Sequence, residues 1–140
     1  MKKITIIMFV LVTMALVTIT SCSKQKEDPV ITLPSKKVLI VNTWVIEKYF
    51  ENGEDITSQI LPFLGSYSME FRKDGTYLLI IDGDSETGTW TMDSKEENLE
   101  LLSDGSMVPD KLKILRLAGK EMWLMQDDGV TKIEVHFKPK

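Results

Sequence analysis

Apolar and polar residues alternate in short runs from residue 40 to residue 138, and clusters of Gly and Asp separate the runs. A period of two sends successive side chains to opposite faces of a strand. The pattern predicts eight strands, at 40–50, 67–72, 76–82, 86–92, 98–102, 111–117, 121–126 and 131–138. Between them lie Lys73-Asp74-Gly75, Asp82-Gly83-Asp84-Ser85, Asp104-Gly105, Ala118-Gly119-Lys120 and Asp127-Asp128-Gly129. Gly reaches positive φ without a side-chain clash and Asp tolerates turn conformations, so these gaps have the chemistry of tight reversals. One connection is longer. Residues 55–65 contain Ile60-Leu61-Pro62-Phe63-Leu64 and read as a loop with a short helical turn, placed to cover one end of a barrel.

The best-defined unit runs from Tyr67 to Tyr77 and beyond. A three-residue turn at Lys73-Asp74-Gly75, with Gly75 left-handed, pairs Arg72 with Thr76. Phe71 then faces Tyr77, Met69 faces Leu79 and Tyr67 faces Ile81, which makes this set the inward face. Leu78 and Ile80 fall on the other face and need cover from the 60–64 segment or from a partner. In the last strand Ile133, Val135 and Phe137 point one way, while Lys132, Glu134, His136 and Lys138 point the other. The phase slips after Ile114, which predicts a bulge. Eight short antiparallel strands joined mainly by tight turns predict an all-β, up-and-down barrel, a closure that removes open edges. A two-sheet β-sandwich with the same hairpins is the alternative.

The N-terminal pattern differs. Met1-Lys2-Lys3 precedes an apolar run from Ile4 to Ile19, then Thr20-Ser21-Cys22, the only cysteine of the chain. A positive n-region followed by an apolar h-region is the layout of a secretory signal. The run is long enough to compete as a signal anchor. Thr5, Thr13, Thr18 and Thr20 dilute it, however, and a polar stretch from Ser23 to Pro29 follows at once. Ile19-Thr20-Ser21-Cys22 resembles a bacterial lipoprotein lipobox, in the loose form seen in Bacteroidetes-type bacteria. That resemblance implies acylation of Cys22 and attachment to the cell envelope, with the outer membrane as the expected site. Each buried methylene contributes about 0.8 kcal/mol, so several acyl chains hold firmly where one holds weakly.

These readings divide the chain into a signal at 1–21, a flexible tether at 22–37 and a domain at 38–140. The tether carries charged residues with Pro29 and Pro34 and too little apolar area to fold alone. A flexible stretch of about 15 residues spans roughly 20 Å. Glu27 and Asp28 also resemble an export signal that places some such lipoproteins on the outer surface. Without Lys2 and Lys3 the chain has 15 basic and 21 acidic side chains, a formal net charge of −6. That balance disfavours nucleic acid as a partner.

Several short motifs occur in a telling order: Asn42-Thr43-Trp44, the stretch Phe71-Arg-Lys-Asp-Gly-Thr-Tyr77, Gly88-Thr-Trp90, and Ile114-Leu-Arg-Leu117 before Met122-Trp-Leu124. Together they resemble the small lipocalin-like domains of Bacteroidetes lipoproteins. The resemblance implies a small barrel over nearly all of residues 40–138. Two departures stand against a capacious cavity: Asn42 replaces the glycine of the Gly-x-Trp motif, and the chain is shorter than full transport lipocalins.

Little in the domain points to reactive chemistry. His136, the sole histidine, is expected on the solvent side of the last strand. It has no Cys or second His with which to build a transition-metal cage. Asp82, Asp84 and Glu86 alternate as in part of a calcium loop but lack its glycine and distal glutamate. The spacing of Gly83 and Gly88 suggests a phosphate loop, yet Thr89-Trp90 follows in place of Lys-Ser/Thr. No metal, catalytic residue or cofactor is expected. Trp44 and Trp90 read as packing that closes one end of the barrel. The functional alternative is an apolar ligand pocket lined by Trp44, Phe71, Tyr77 and Trp90. A third reading turns Trp123 outward, with Leu78 and Ile80, as an interaction patch. The expectation is a noncatalytic, lipid-anchored protein that binds a small apolar molecule or an envelope protein, or else an accessory subunit with a solid core.

Overall fold

A computed structural model describes residues 33–140. The signal at 1–21 and the lipidation site Cys22 lie outside the described residues.

The strands are β1 (Thr43–Glu51), β2 (Glu54–Asp55), β3 (Tyr67–Phe71), β4 (Thr76–Ile81), β5 (Asp84–Met92), β6 (Asn98–Ser103), β7 (Asp110–Ala118), β8 (Glu121–Asp127) and β9 (Lys132–Pro139). Two helices join them, α1 (Lys36–Leu39) and α2 (Thr57–Leu64). Strands β3 to β9 pair in sequence order, and β1 pairs with both β3 and β9. All pairs are antiparallel. The result is a closed eight-stranded up-and-down barrel, not a sandwich.

The ninth strand is an addition. Asn52 and Gly53 both have positive φ, 51° and 86°, the geometry of a type I′ hairpin turn. They fold β2 back onto the end of β1, pairing Glu51 with Glu54. Asp82 and Gly83 do the same between β4 and β5, with φ of 50° and 92°. This turn is tighter than the four-residue reversal expected from sequence, so β5 begins at Asp84 rather than at Glu86. The hairpin of β3 and β4 has the expected register, with Phe71 opposite Tyr77 and Tyr67 opposite Ile81. Gly75 is left-handed at φ 84°.

Bulges interrupt two barrel strands. One lies between Ile46 and Lys48 against β9. The other lies between Ile114 and Arg116 against β8, where the sequence phase slips. Each lets one extra residue pass while the inward row continues.

The connections β1–β3, β4–β5, β6–β7 and β8–β9 gather at one end of the barrel, here called the mouth. The opposite end is plugged. Helix α1 leads into Ile40, which is fully buried, and the Trp44 indole Nε1 donates to the Ile40 carbonyl at 2.8 Å. Trp44, Phe71, Tyr77, Trp90, Leu99 and Met122 pack around this plug in one cluster. The chain engages the barrel from Lys36 onward, whose backbone N–H donates to Glu96 Oε2 at 2.7 Å.

The short helical turn expected within 55–65 is an eight-residue helix, α2. Asp55 accepts hydrogen bonds from the backbone N–H and hydroxyl of Thr57, which fastens the helix start. The Tyr49 N–H donates to the Thr57 hydroxyl at 2.8 Å, tying the helix to β1. Leu78 and Ile80 on the outer face are half-buried.

Candidate ligand cavity

The β1–β3 join is the weakest in the barrel. It pairs only Thr43 with Glu70 and Trp44 with Met69. Continuing that register would bring Ile46 opposite Tyr67, but the strands are unpaired there. Beyond this point α2 and β2 occupy the β1 edge. The inward side chains that flank the seam are Tyr49 on β1 and Tyr67 on β3.

Behind the seam lies a cavity of about 200 Å³. It is lined by Tyr49, Tyr67, Met69, Leu112, Leu124, Gln126, Ile133, Val135 and Phe137. All but one of these follow from strand parity: the inward rows of β7, β8 and β9 supply the aliphatic wall. Tyr49 needs the β1 bulge, which restores the inward phase after Glu47. The Tyr67 and Phe137 rings tilt against each other with centroids 6.1 Å apart.

Three polar groups enter this apolar space. Burial raises the Tyr67 hydroxyl pKa far above the ordinary phenol range, and neighbouring Tyr49 adds to the rise. Tyr49 is raised too, by burial first and by the Glu51 carboxylate second. Both phenols therefore stay protonated at neutral pH, each with a proton to donate. Among the described residues neither phenol makes a hydrogen bond within the protein, yet no fully enclosed side-chain N or O goes unpaired. Neither hydroxyl is therefore fully enclosed. Gln126 adds an amide near the mouth.

A second polar group sits higher in the barrel, between β4, β5 and β6. The Tyr77 hydroxyl donates to Glu86 Oε1 at 2.8 Å and lies 3.0 Å from the Ser103 hydroxyl. Ser103 donates to the same Glu86 oxygen at 2.7 Å. Burial is the main cause of the raised Tyr77 pKa; Ser103 opposes the shift and Glu86 adds to it. Gly88 makes room for this ring. A Cβ there would come within 2.7 Å of Tyr77 Cε1 and 2.2 Å of the Leu102 carbonyl oxygen.

The structure brings Trp44, Phe71, Tyr77 and Trp90 together, but as packed core. All four are buried. Phe71 and Trp90 meet edge to face at 5.9 Å and 88°, and the Trp90 indole Nε1 donates to the Arg72 carbonyl at 3.1 Å. None of the four lines the 200 Å³ cavity. Trp90 alone reaches an outer hollow of about 640 Å³, beside Val38, Val41 and Met92 at the plugged end. Sequence reasoning missed Tyr49 because the β1 bulge hides its parity, and Gln126, though in phase with Met122 and Leu124, because a polar side chain near a strand end does not read as inward. Tyr67 was legible as inward-facing, and a phenol in an otherwise aliphatic row was the available signal.

His136 takes the expected outer face of β9 but is covered there. Its side chain is only 13 % exposed. Trp123 stacks on one side, Phe50 lies tilted at 4.9 Å, and Glu134 Oε1 is 2.6 Å from Nε2. Among the described residues, no group of three His, Cys, Asp or Glu side chains converges as a metal site would require.

No protein-family model matches the chain, and no curated protein matches it by sequence. Solved structures do. A lipocalin-like protein from Bacteroides uniformis superposes with a TM-score of 0.55 at 13% identity, covering 73% of this chain and 99% of that one. A DUF4847 family protein from Bacteroides vulgatus superposes with a TM-score of 0.54 at 15% identity, covering 74% of this chain and 95% of that one. At these identities the likeness is one of fold. Closure of eight antiparallel strands around a plugged core, together with these superpositions, makes the fold that of the small lipocalin-like barrels.

Proposed function

We propose that this protein is a noncatalytic, lipid-anchored envelope protein whose barrel holds a small apolar molecule bearing one hydrogen-bonding group. The observation that carries the reading is the cavity between β1, β3 and β7–β9: about 200 Å³, walled by Met69, Leu112, Leu124, Ile133, Val135 and Phe137, with the Tyr49 and Tyr67 phenols facing in. Apolar walls with a few convergent polar groups are the usual composition of a ligand site. The size sets the ligand. An engineered apolar cavity of about 150 Å³ admits benzene, whereas drug-sized ligands occupy about 300 Å³ or more. A single-ring molecule, or the apolar end of a longer one entering at the mouth, fits. The Tyr hydroxyls donate to its carbonyl, hydroxyl or carboxyl oxygen.

Anchoring rests on the lipobox-like Ile19-Thr20-Ser21-Cys22 after an apolar run. Acylation at Cys22 places the barrel at the outer membrane, on a tether of charged and proline residues.

Two experiments test these parts separately. Thermal melting across a panel of phenols, indole and short-chain acids should raise Tm for some members, and Val135→Phe, which fills the cavity, should abolish the shift. A flat panel with wild-type protein would remove the ligand reading. Cys22→Ala should move the protein from the membrane to the soluble fraction; retention in the membrane would remove the lipid anchor.

A further inference from the structure

The mouth of the barrel carries apolar side chains where turns ordinarily carry polar ones. Phe63 on α2 is 84 % exposed, Met107 and Val108 in the β6–β7 loop are 96 % and 75 % exposed, and Val130 in the β8–β9 turn is 88 % exposed. Three separate connections thus present apolar tips at one end of the molecule. Apolar side chains exposed on several loops of one rim offer a partner's apolar face something to cover.

The same end is acidic. Ile81 pairs with Asp84 and Leu79 with Glu86, and Leu101 pairs with Asp110. These carboxylates therefore continue the inward rows of the barrel up to its rim. Asp82 and Asp104 stand in the adjoining turns. Leu79, Ile81, Asp82, Asp84, Ser85 and Glu86 enclose a hollow of about 410 Å³, with aliphatic side chains beside carboxylates. Among the described residues none of Asp82, Asp84, Glu86, Asp104 and Asp110 forms an ion pair. Two ion pairs stand beside this rim, Glu100–Lys111 next to Asp110 and Asp127–Lys132 at the β8–β9 turn, whereas Glu70–Arg72 and Glu121–Arg116 lie toward the plugged end.

We infer that the mouth is a docking surface for a protein partner that presents a basic, amphipathic segment. The apolar tips contact the partner's apolar side chains, and its Lys or Arg side chains enter the hollow bordered by Asp84 and Glu86. Charge decides between candidate occupants. A rim on which carboxylates outnumber lysines repels an anionic bilayer surface, whereas complementary charge steers and orients a basic partner. This surface is distinct from the cavity proposed above and does not depend on it.

The test is calorimetric titration of the full chain with an amphipathic Lys/Leu peptide, a matched Glu/Leu peptide, and vesicles of mixed phosphatidylcholine and phosphatidylglycerol. The Lys/Leu peptide should bind, more weakly as salt rises. Phe63→Ser combined with Met107→Ser and Val130→Ser should weaken it at least about tenfold, since each tip contributes buried apolar area. Asp84→Asn with Asp110→Asn should weaken it further and flatten the salt dependence. Leu33→Ser with Val38→Ser, at the plugged end, should leave binding unchanged. These exposed positions leave the fold intact, which far-UV circular dichroism checks. Equal binding of the Glu/Leu peptide, undiminished binding by the mouth variants, or binding to vesicles without binding to the Lys/Leu peptide would overturn the inference.

Discussion

Trp123 on β8 and His136 on β9 stand opposite each other with ring planes 6° apart and centroids 4.1 Å apart. They form the middle of a ladder across the outer face. Phe50 packs beside the imidazole, and the Arg116 guanidinium lies 5.3 Å from the indole centroid while also pairing with Glu121. A strand face that alternation marks as solvent-exposed is thus covered by its own cross-strand neighbours. Such pairs are a unit of sheet stabilisation.

A double-mutant cycle measures this pair. Trp123→Ala and His136→Ala should each destabilise the barrel, and their coupling in urea denaturation should be about 1 kcal/mol. Additive single effects would mean that the stack contributes nothing beyond area.

Glycine positions separate steric from conformational cost. Gly88→Ala forces a methyl against the Leu102 carbonyl and the Tyr77 ring, and overpacking of this kind costs about 1–3 kcal/mol or more. Gly119 has open space around its Cβ position and no positive φ. Gly119→Ala should be neutral or stabilising by about 0.5 kcal/mol. Urea midpoints of the two variants check the contrast.

The pH dependence follows from the turn carboxylates. The Asn98 amide and the Glu97 backbone N–H hold Asp93 below its ordinary pKa. The backbone N–H groups of Thr131 and Val130 do the same for Asp128, and Thr76 for Asp74. Because these folded-state values are depressed, the stabilisation is fully present above the unfolded carboxylate range and is lost as pH falls through the folded values. Chemical denaturation should show stability falling below about pH 4. Asp93→Ala should shrink that fall, and an unchanged acid profile would contradict the assignment.

Much of this fold was legible because the inward face and the turn residues agreed. The pairing of Phe71 with Tyr77, left-handed Gly75 and the slip after Ile114 all follow from local chemistry. What escaped the sequence depends on closure. Asn52-Gly53 has ordinary hairpin chemistry, but its partner strand is only two residues long and lacks an alternating pattern. The short Asp82-Gly83 turn moves Asp84 from a loop onto the inward row, and the β1 bulge turns Tyr49 inward. The aromatic residues that stood out as candidate ligand contacts occupy the plug, where large side chains fill a narrowing barrel end. The cavity is instead lined by residues of ordinary type, brought together by β1 meeting β3 and β9.

That placement yields a further prediction. Trp44→Phe removes the indole donor to the Ile40 carbonyl and should destabilise the domain by about 1–3 kcal/mol, without changing affinity for a cavity ligand. Tyr67→Phe should do the reverse, weakening a phenol or acid about tenfold by loss of one hydrogen bond with little effect on Tm. Paired melting and binding curves distinguish the two; a loss of affinity in Trp44→Phe alone would return the site to the plug.

The most direct measurement of the central claim is methyl NMR of the protein titrated with p-cresol. The methyl signals of Leu112, Leu124, Ile133 and Val135 should shift together and saturate, while those of Ile40 in the plug stay in place. Absence of any saturable shift at those four residues, or shifts confined to Val38 and Val41, would contradict a ligand site inside the barrel.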